Sequence, residues 1–101
     1  MADLSSDIRL AVDSGTIAVG LKSVIRSIKK DQAKLVIASS KNNEDNISEV
    51  EHLSKVAGIK FVRYESTPVE FGTLCGKPFS VSMISVIDAG NSKILETIKS
   101  E

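Results

Sequence analysis

The chain has 101 residues, 42% of them hydrophobic, and its 13 basic residues balance its 13 acidic ones. This length and apolar content predict one compact domain with its own core. No stretch approaches the ~18 apolar residues of a membrane span, and the first residues lack the pattern of a secretory signal. The single cysteine, Cys75, excludes an intrachain disulfide. We therefore expect a soluble cytoplasmic protein.

The zero net charge conceals an uneven distribution along the chain. Residues 20–41 carry six cations and one acid, whereas residues 42–55 carry four acids and one lysine. Opposite charges on adjacent segments predict a polarised molecule with one face suited to a polyanion.

The N-terminal part predicts a helix followed by a short strand. Ser5–Asp7 can cap a helix that runs to about Ser14 and ends at Gly15, and Thr16–Val19 has the composition of a strand. The residues of this helix expected in the core are Ile8, Ala11 and Val12.

A second, amphipathic helix is expected from Gly20 to Lys30. Its apolar stripe, at helical spacing, consists of Leu21, Val24, Ile25 and Ile28. Its cations, mostly off that stripe, are Lys22, Arg26, Lys29 and Lys30. The N-terminus of a helix favours anions, and nearby cations strengthen this preference. On spacing alone, either a phosphate-binding surface or an ordinary solvated face explains these charges.

The central part predicts a buried strand, a polar loop and a helix. Lys34–Ala38 is nearly all apolar, which is typical of a strand covered on both faces. Ser39–Asn46 is polar and predicts a loop, and a helix follows from about Asn46 to Ala57, ended by Gly58. The core face expected for this helix comprises Ile47, Val50, Leu53 and Val56.

The next segment contains the clearest local signal. Ile59–Tyr64 alternates as a strand, and Thr67–Glu70 then forms a capping box with proline at the first helical position. We expect a short helix from Thr67 to Cys75, ended by Gly76 and followed by a turn over 77–79.

The last part predicts a strand over Val81–Ile87, with Val81, Met83 and Ile87 covered. A turn over Asp88–Asn91 leads into a final helix, whose expected core residues are Ile94, Leu95 and Ile98. Alternation of five helices with four strands predicts an α/β fold, a three-layer α/β/α sandwich with a four-stranded sheet.

The sequence offers few groups that could carry out catalysis. His52 is the only histidine, and one histidine with one cysteine cannot supply the ligands of a metal site. The stretch Gly72–Pro78 departs from the phosphate-loop pattern, because its glycines are one residue too close and Pro78 occupies the hydroxyl position. We expect Cys75 to be a small buried residue and the protein to be no enzyme.

Binding is the remaining class of function, and three segments of the chain carry side chains suited to RNA. Lys22 and Arg26 can contact phosphates, and Asn42 and Asn43 offer donors and acceptors for a base edge. Phe79 can stack on an unpaired base, or it points into the core at the start of a strand.

Several motifs, in this order and spacing, carry a resemblance to a known family. They are Gly-x-Lys-Ser at 20–23, Ala-Lys-Leu-Val-Ile-Ala at 33–38, Val-Glu-Phe-Gly-Thr-Leu-Cys-Gly-Lys at 69–77, and Ser-Val-Ile-Asp-Ala-Gly-Asn-Ser-Lys-Ile-Leu at 85–95. The chain resembles, over about residues 7–95, the archaeal and eukaryotic L-thirty-e family of large-subunit ribosomal proteins. This family belongs to the L-seven-Ae superfamily, whose members bind kink-turn RNA, a sharply bent internal loop with sheared G·A pairs.

The resemblance implies a mixed four-stranded sheet and a role as a structural protein of the cytoplasmic ribosome. The implied partners are ribosomal RNA and other ribosomal proteins, with no cofactor, metal or membrane, and with a monomer as the free state. The implied RNA-binding residues are Gly20, Lys22, Ser23, Arg26, Lys41, Asn42, Gly76, Lys77, Pro78 and Phe79. Much of the family has a base-reading asparagine at the position of Lys41, so either Lys41 or Asn42 takes this role.

Other functions stay open at this point. Within the class of RNA-binding proteins, the alternatives are a kink-turn module of another ribonucleoprotein and a binder of its own message. In different classes, it is a small-ligand or enzymatic α/β domain, or a protein-interaction module that uses the acidic helix at 44–51.

Overall fold

The computed structural model describes residues 4–41, 43–88 and 90, along which four helices alternate with four strands. In chain order the elements are α1 (Leu4–Ser14), β1 (Thr16–Val19), α2 (Leu21–Lys29), β2 (Leu35–Ser39), α3 (Glu44–Ala57), β3 (Lys60–Tyr64), α4 (Pro68–Leu74) and β4 (Met83–Asp88). The final predicted helix, with Ile94, Leu95 and Ile98, lies outside the described residues. None of the helices described is long and apolar enough to cross a membrane.

The four strands form one mixed sheet in the order β1-β4-β2-β3. The pairs β1–β4 and β4–β2 are antiparallel, whereas β2 and β3 are parallel. All five residues of β2 are buried, as its apolar run predicted, because β2 lies inside the sheet and is covered on both faces. The α/β class and the mixed four-stranded sheet are confirmed.

Helices cover both faces of the sheet and divide the core in two. The helices α1 and α4 contact each other on one face, and α2 and α3 contact each other on the other face. The first core cluster is formed by Ile8, Ala11, Leu35, Ile37, Phe71, Cys75, Val81, Ile84 and Val86. The second is formed by Val24, Ile28, Ala33, Val36, Ala38, Ile47, Val50 and Met83. Because successive residues of a strand face opposite sides, β2 and β4 contribute to both clusters, which confirms the three-layer sandwich.

The helix α4 begins with the capping box that the sequence predicted. The backbone N–H of Glu70 donates to Thr67 Oγ1 at 3.2 Å, and the backbone N–H of Thr67 donates to the Glu70 carboxylate at 2.9 Å. The hydrogen bond from the Thr67 backbone stabilises the charged carboxylate and lowers the pKa of Glu70 from its usual 4.5. The reciprocal pair fixes where α4 starts.

The helix α3 differs from its prediction in two respects. It begins at Glu44 rather than Asn46, because Asn43 Oδ1 accepts a hydrogen bond from the Asn46 N–H at 3.1 Å and caps the helix earlier. Val56, expected in the core, is 74% exposed. At about 100° per residue Val56 lies opposite Ile47 on the helix, so the two cannot share a buried stripe.

The ends of two further elements were also wrongly predicted. The described part of α1 begins at Leu4, so Ser5–Asp7 lie within the helix rather than before it. The strand β4 begins at Met83, because the Val81 N–H donates to the carbonyl of Pro68 at 2.9 Å and not to a neighbouring strand. Val81 is nevertheless buried, against α4, whereas Ile87 is only half-buried.

Candidate nucleic-acid interface

Three segments singled out from the sequence meet at one edge of the sheet. The Gly20 N–H donates to the Met83 carbonyl at 2.9 Å, and the Ser39 N–H donates to the Ser82 carbonyl at 2.9 Å. The start of α2 and the end of β2 therefore both lie beside the segment that follows the turn over 76–80. We call these residues the edge surface: Gly20, Lys22, Ser23, Arg26, Lys41, Gly76, Lys77, Pro78 and Phe79.

The start of α2 presents backbone and cations to solvent. Gly20 has a φ of 92° and a ψ of 160°, a conformation that only glycine adopts readily, and no side chain caps the helix. The first backbone N–H groups of a helix have no partner within the helix. Lys22, Ser23 and Arg26 are all exposed, whereas the opposite face of α2 is packed against the sheet and α3. This end of α2 has the backbone donors and positive charge that an anion requires.

The segment after β2 is held against the start of α4. The carbonyl of Ser66 accepts hydrogen bonds from the Lys41 N–H at 3.2 Å and from the hydroxyl of Ser39. The Lys41 side chain is exposed, and its positive charge helps to lower the pKa of Glu70. Asn42 lies outside the described residues. The carbonyl oxygen of the Asn43 side chain caps α3, a structural role that was not predicted from the sequence.

The turn over 76–80 exposes an apolar surface. Phe79 is 57% exposed, so the alternative that places it in the core is wrong. Gly76 and Pro78 are also exposed, and Lys77 is half-buried. A groove of about 410 Å³ runs along this turn, lined by Val69, Thr73, Lys77, Pro78, Phe79 and Ser80.

Sequence reasoning missed the residues that support this surface. Val69 is 67% exposed and lines the groove, although in the sequence it reads only as the second residue of α4. The buried Ser66 holds the Lys41 backbone through its carbonyl, which also accepts the hydroxyl hydrogen bond of the buried Ser39. No local signal marks these two serines, because their contact joins residues 27 positions apart.

The histidine, the cysteine and the acidic helix were the groups considered for catalysis, metal binding or protein interaction. His52 is exposed on α3. Cys75 is buried, and desolvation raises the pKa of its thiol to about 11, so it is protonated at neutral pH. On the acidic helix, Glu44 and Glu51 both pair with Arg63 of β3, at 3.1 Å and 3.3 Å. Within residues 4–41, 43–88 and 90, no three His, Cys, Asp or Glu side chains are grouped as a metal site requires.

The fold defines a small α/β protein of the three-layer sandwich class. The chain belongs to the ribosomal protein L7Ae/L30e/S12e/Gadd45 family, whose model matches residues 2–96. It is 40% identical over 96 residues to the large ribosomal subunit protein eL30 of Methanothermobacter thermautotrophicus, an alignment covering 95% of this chain and 98% of that protein.

Further relatives give the same result. The eL30 proteins of Methanobrevibacter smithii and Saccharolobus solfataricus are 36% and 38% identical to this chain. The alignments cover 98% of this chain and 100% of the first protein, and 92% of this chain and 86% of the second. The family resemblance seen in the motifs is therefore confirmed, and with it the expectation that this protein is not an enzyme.

Proposed function

We propose that this chain is a structural constituent of the large ribosomal subunit and that it binds a kink-turn in ribosomal RNA through the edge surface together with Asn42. The supporting observation is the meeting of three exposed, RNA-suited segments at one edge of the sheet. The relatives it resembles over nearly their whole length are large-subunit ribosomal proteins.

The start of α2 binds the phosphate backbone in this proposal. Lys22 and Arg26 supply mobile positive charges, and the first-turn N–H groups supply directional donors. Gly20 has no heavy atom within 4 Å of the position that a Cβ would take. Its surface is therefore open, and the absence of a side chain lets an RNA strand approach the backbone closely.

Base reading falls to the segment after β2. The Lys41 backbone is held by Ser66, so the Lys41 ammonium extends from a fixed backbone position. In the other assignment, the amide of the next residue, Asn42, reads the base. Asparagine offers a paired donor and acceptor to a base edge, whereas lysine offers only donors. The two assignments differ in which RNA groups they recognise.

The turn over 76–80 supplies the apolar contact. In a kink-turn, bases leave the helical stack and can lie against an aromatic ring. The exposed Phe79 ring, which lines the groove together with Pro78 and Val69, gives such a base a stacking surface. Duplex RNA offers no unstacked base, so this contact favours bent RNA over straight RNA.

The partners and state follow from this role. The protein contacts ribosomal RNA and other ribosomal proteins on the cytoplasmic ribosome. In this proposal the chain acts as a single RNA-binding domain and is monomeric when free.

Sedimentation tests the assignment to the ribosome. Epitope-tagged protein expressed in its own cells should migrate in a sucrose gradient with the large subunit, and nuclease treatment of the lysate should release it. Migration with a different ribonucleoprotein, or recovery with its own message alone, would contradict the ribosomal role.

A further inference from the structure

The glycine of the incomplete phosphate-loop stretch makes an unusually close contact. A Cβ on Gly72 would overlap the carbonyl oxygen of Phe79 and would lie 3.2 Å from the Cα of Ser80. Both are backbone atoms, so no change of side-chain rotamer can relieve the overlap. The turn over 76–80 lies this close to α4 only because residue 72 has no side chain.

Hydrogen bonds fasten the turn to α4 on both sides of this contact. The Lys77 N–H donates to the Gly72 carbonyl at 2.9 Å, and the Val81 N–H donates to the Pro68 carbonyl at 2.9 Å. The helix is itself anchored by Phe71 and by its C-cap residue Cys75, which are both in the core. The backbone of the turn is thus fixed to a rigid support, while the Phe79 ring stays exposed.

We propose that Gly72 is a positioning residue: by admitting the backbone of Phe79 against α4, it sets the Phe79 ring where RNA meets it. This inference rests on the proposed function and gives the Gly-Thr-Leu-Cys-Gly-Lys stretch a role in RNA recognition. A surface that is ordered before binding loses less conformational entropy when RNA binds. Any side chain at position 72 displaces the turn and removes this advantage.

A double-mutant cycle separates positioning from general stability. We expect Gly72→Ala to weaken binding to a synthetic kink-turn oligonucleotide about tenfold, close to the effect of Phe79→Ala. If Gly72 acts through Phe79, the double variant binds no more weakly than Phe79→Ala alone. Wild-type affinity of Gly72→Ala, or full additivity of the two losses, overturns the inference.

Two controls accompany the cycle. Val50→Ala, in the core on the opposite face of the sheet, lowers the melting temperature without changing affinity at a temperature where the protein is folded. The second control is a glycine inserted between Ser80 and Val81, which loosens the turn without adding a Cβ. If Gly72→Ala fails to fold, this insertion variant replaces it as the test. An approximately tenfold loss of kink-turn affinity in the insertion variant supports the inference, and unchanged affinity contradicts it.

Measurement without RNA separates this inference from the proposed function. In amide NMR spectra, Gly72→Ala should shift the amide resonances of Lys77 and of residues 79–81 more than any others outside α4, because these residues form the displaced turn. If wild-type protein shows no preference for the kink-turn, the proposed function fails even though these shifts occur. If the preference exists and these resonances do not move, only the role of Gly72 fails.

Discussion

Phe79 is the residue whose surroundings say most about how the edge surface works. An aromatic side chain that is 57% exposed, beside Pro78 and within a groove, leaves apolar area for a partner to cover. The cations Lys22 and Arg26 attract any polyanion, whereas a stacking surface needs an unpaired base. In the proposed function, Phe79 is therefore the residue that favours bent RNA over other polyanions.

Phe79→Ala should weaken kink-turn binding by about 1–3 kcal/mol, which is roughly five- to 150-fold in Kd. The melting temperature should change little, because an exposed side chain contributes little to the core. Fluorescence anisotropy and thermal unfolding measure the two effects. The matched control is Val56→Ala, which removes an exposed apolar side chain from α3. An equal loss of affinity in the control would remove the special role of Phe79.

Glu70 gives a pH-dependent prediction. Because its folded-state pKa lies below 4.5, its ionised form stabilises the fold above that pH, and this contribution is lost as pH falls through the folded-state pKa. Wild type should therefore melt at a higher temperature than Glu70→Gln at pH 7, with the difference shrinking as the pH falls below 4.5. A difference independent of pH would show that the cap does not depend on the carboxylate charge.

At the scale of elements, local sequence patterns predicted which helices and strands form better than they predicted where these elements begin and end. The capping box of α4 was predicted because all its atoms belong to residues 67–70. The start of α3 was misplaced, because several polar residues in a row can each cap a helix and the sequence does not rank them. Val56 was misjudged for a different reason: steps of three drift around the helix, and only the side chains near Ile47 and Val50 reach the core.

The cations at the start of α2 predict how RNA affinity depends on salt concentration. Lys22→Gln and Arg26→Gln should each weaken RNA binding at low salt and reduce the slope of log Kd against log salt by about one. Lys55→Gln is the matched control, since it removes an exposed cation from the last turn of α3. Titrations at several salt concentrations give the slopes. Slopes that stay at the wild-type value in both α2 variants would move the phosphate contact away from this helix.

At the scale of the whole molecule, the alternation of elements predicted the three layers but not the strand order. The order β1-β4-β2-β3 depends on pairings between distant residues, such as Leu35 with Val86, that no local pattern encodes. The same pairings create the edge surface, since antiparallel β4 starts where β1 and β2 end. The candidate residues were thus found from their chemistry and from family resemblance, whereas their meeting at one edge required the fold.

The central claim is that this edge recognises the shape of a kink-turn. The most direct measurement compares binding of the wild-type protein to a kink-turn oligonucleotide and to a straight duplex of the same length, at one salt concentration. We predict clearly tighter binding to the kink-turn, and loss of this preference when the sheared G·A pairs are replaced by Watson–Crick pairs. Equal affinity for the two RNAs would contradict the claim and leave only a general attraction to phosphates.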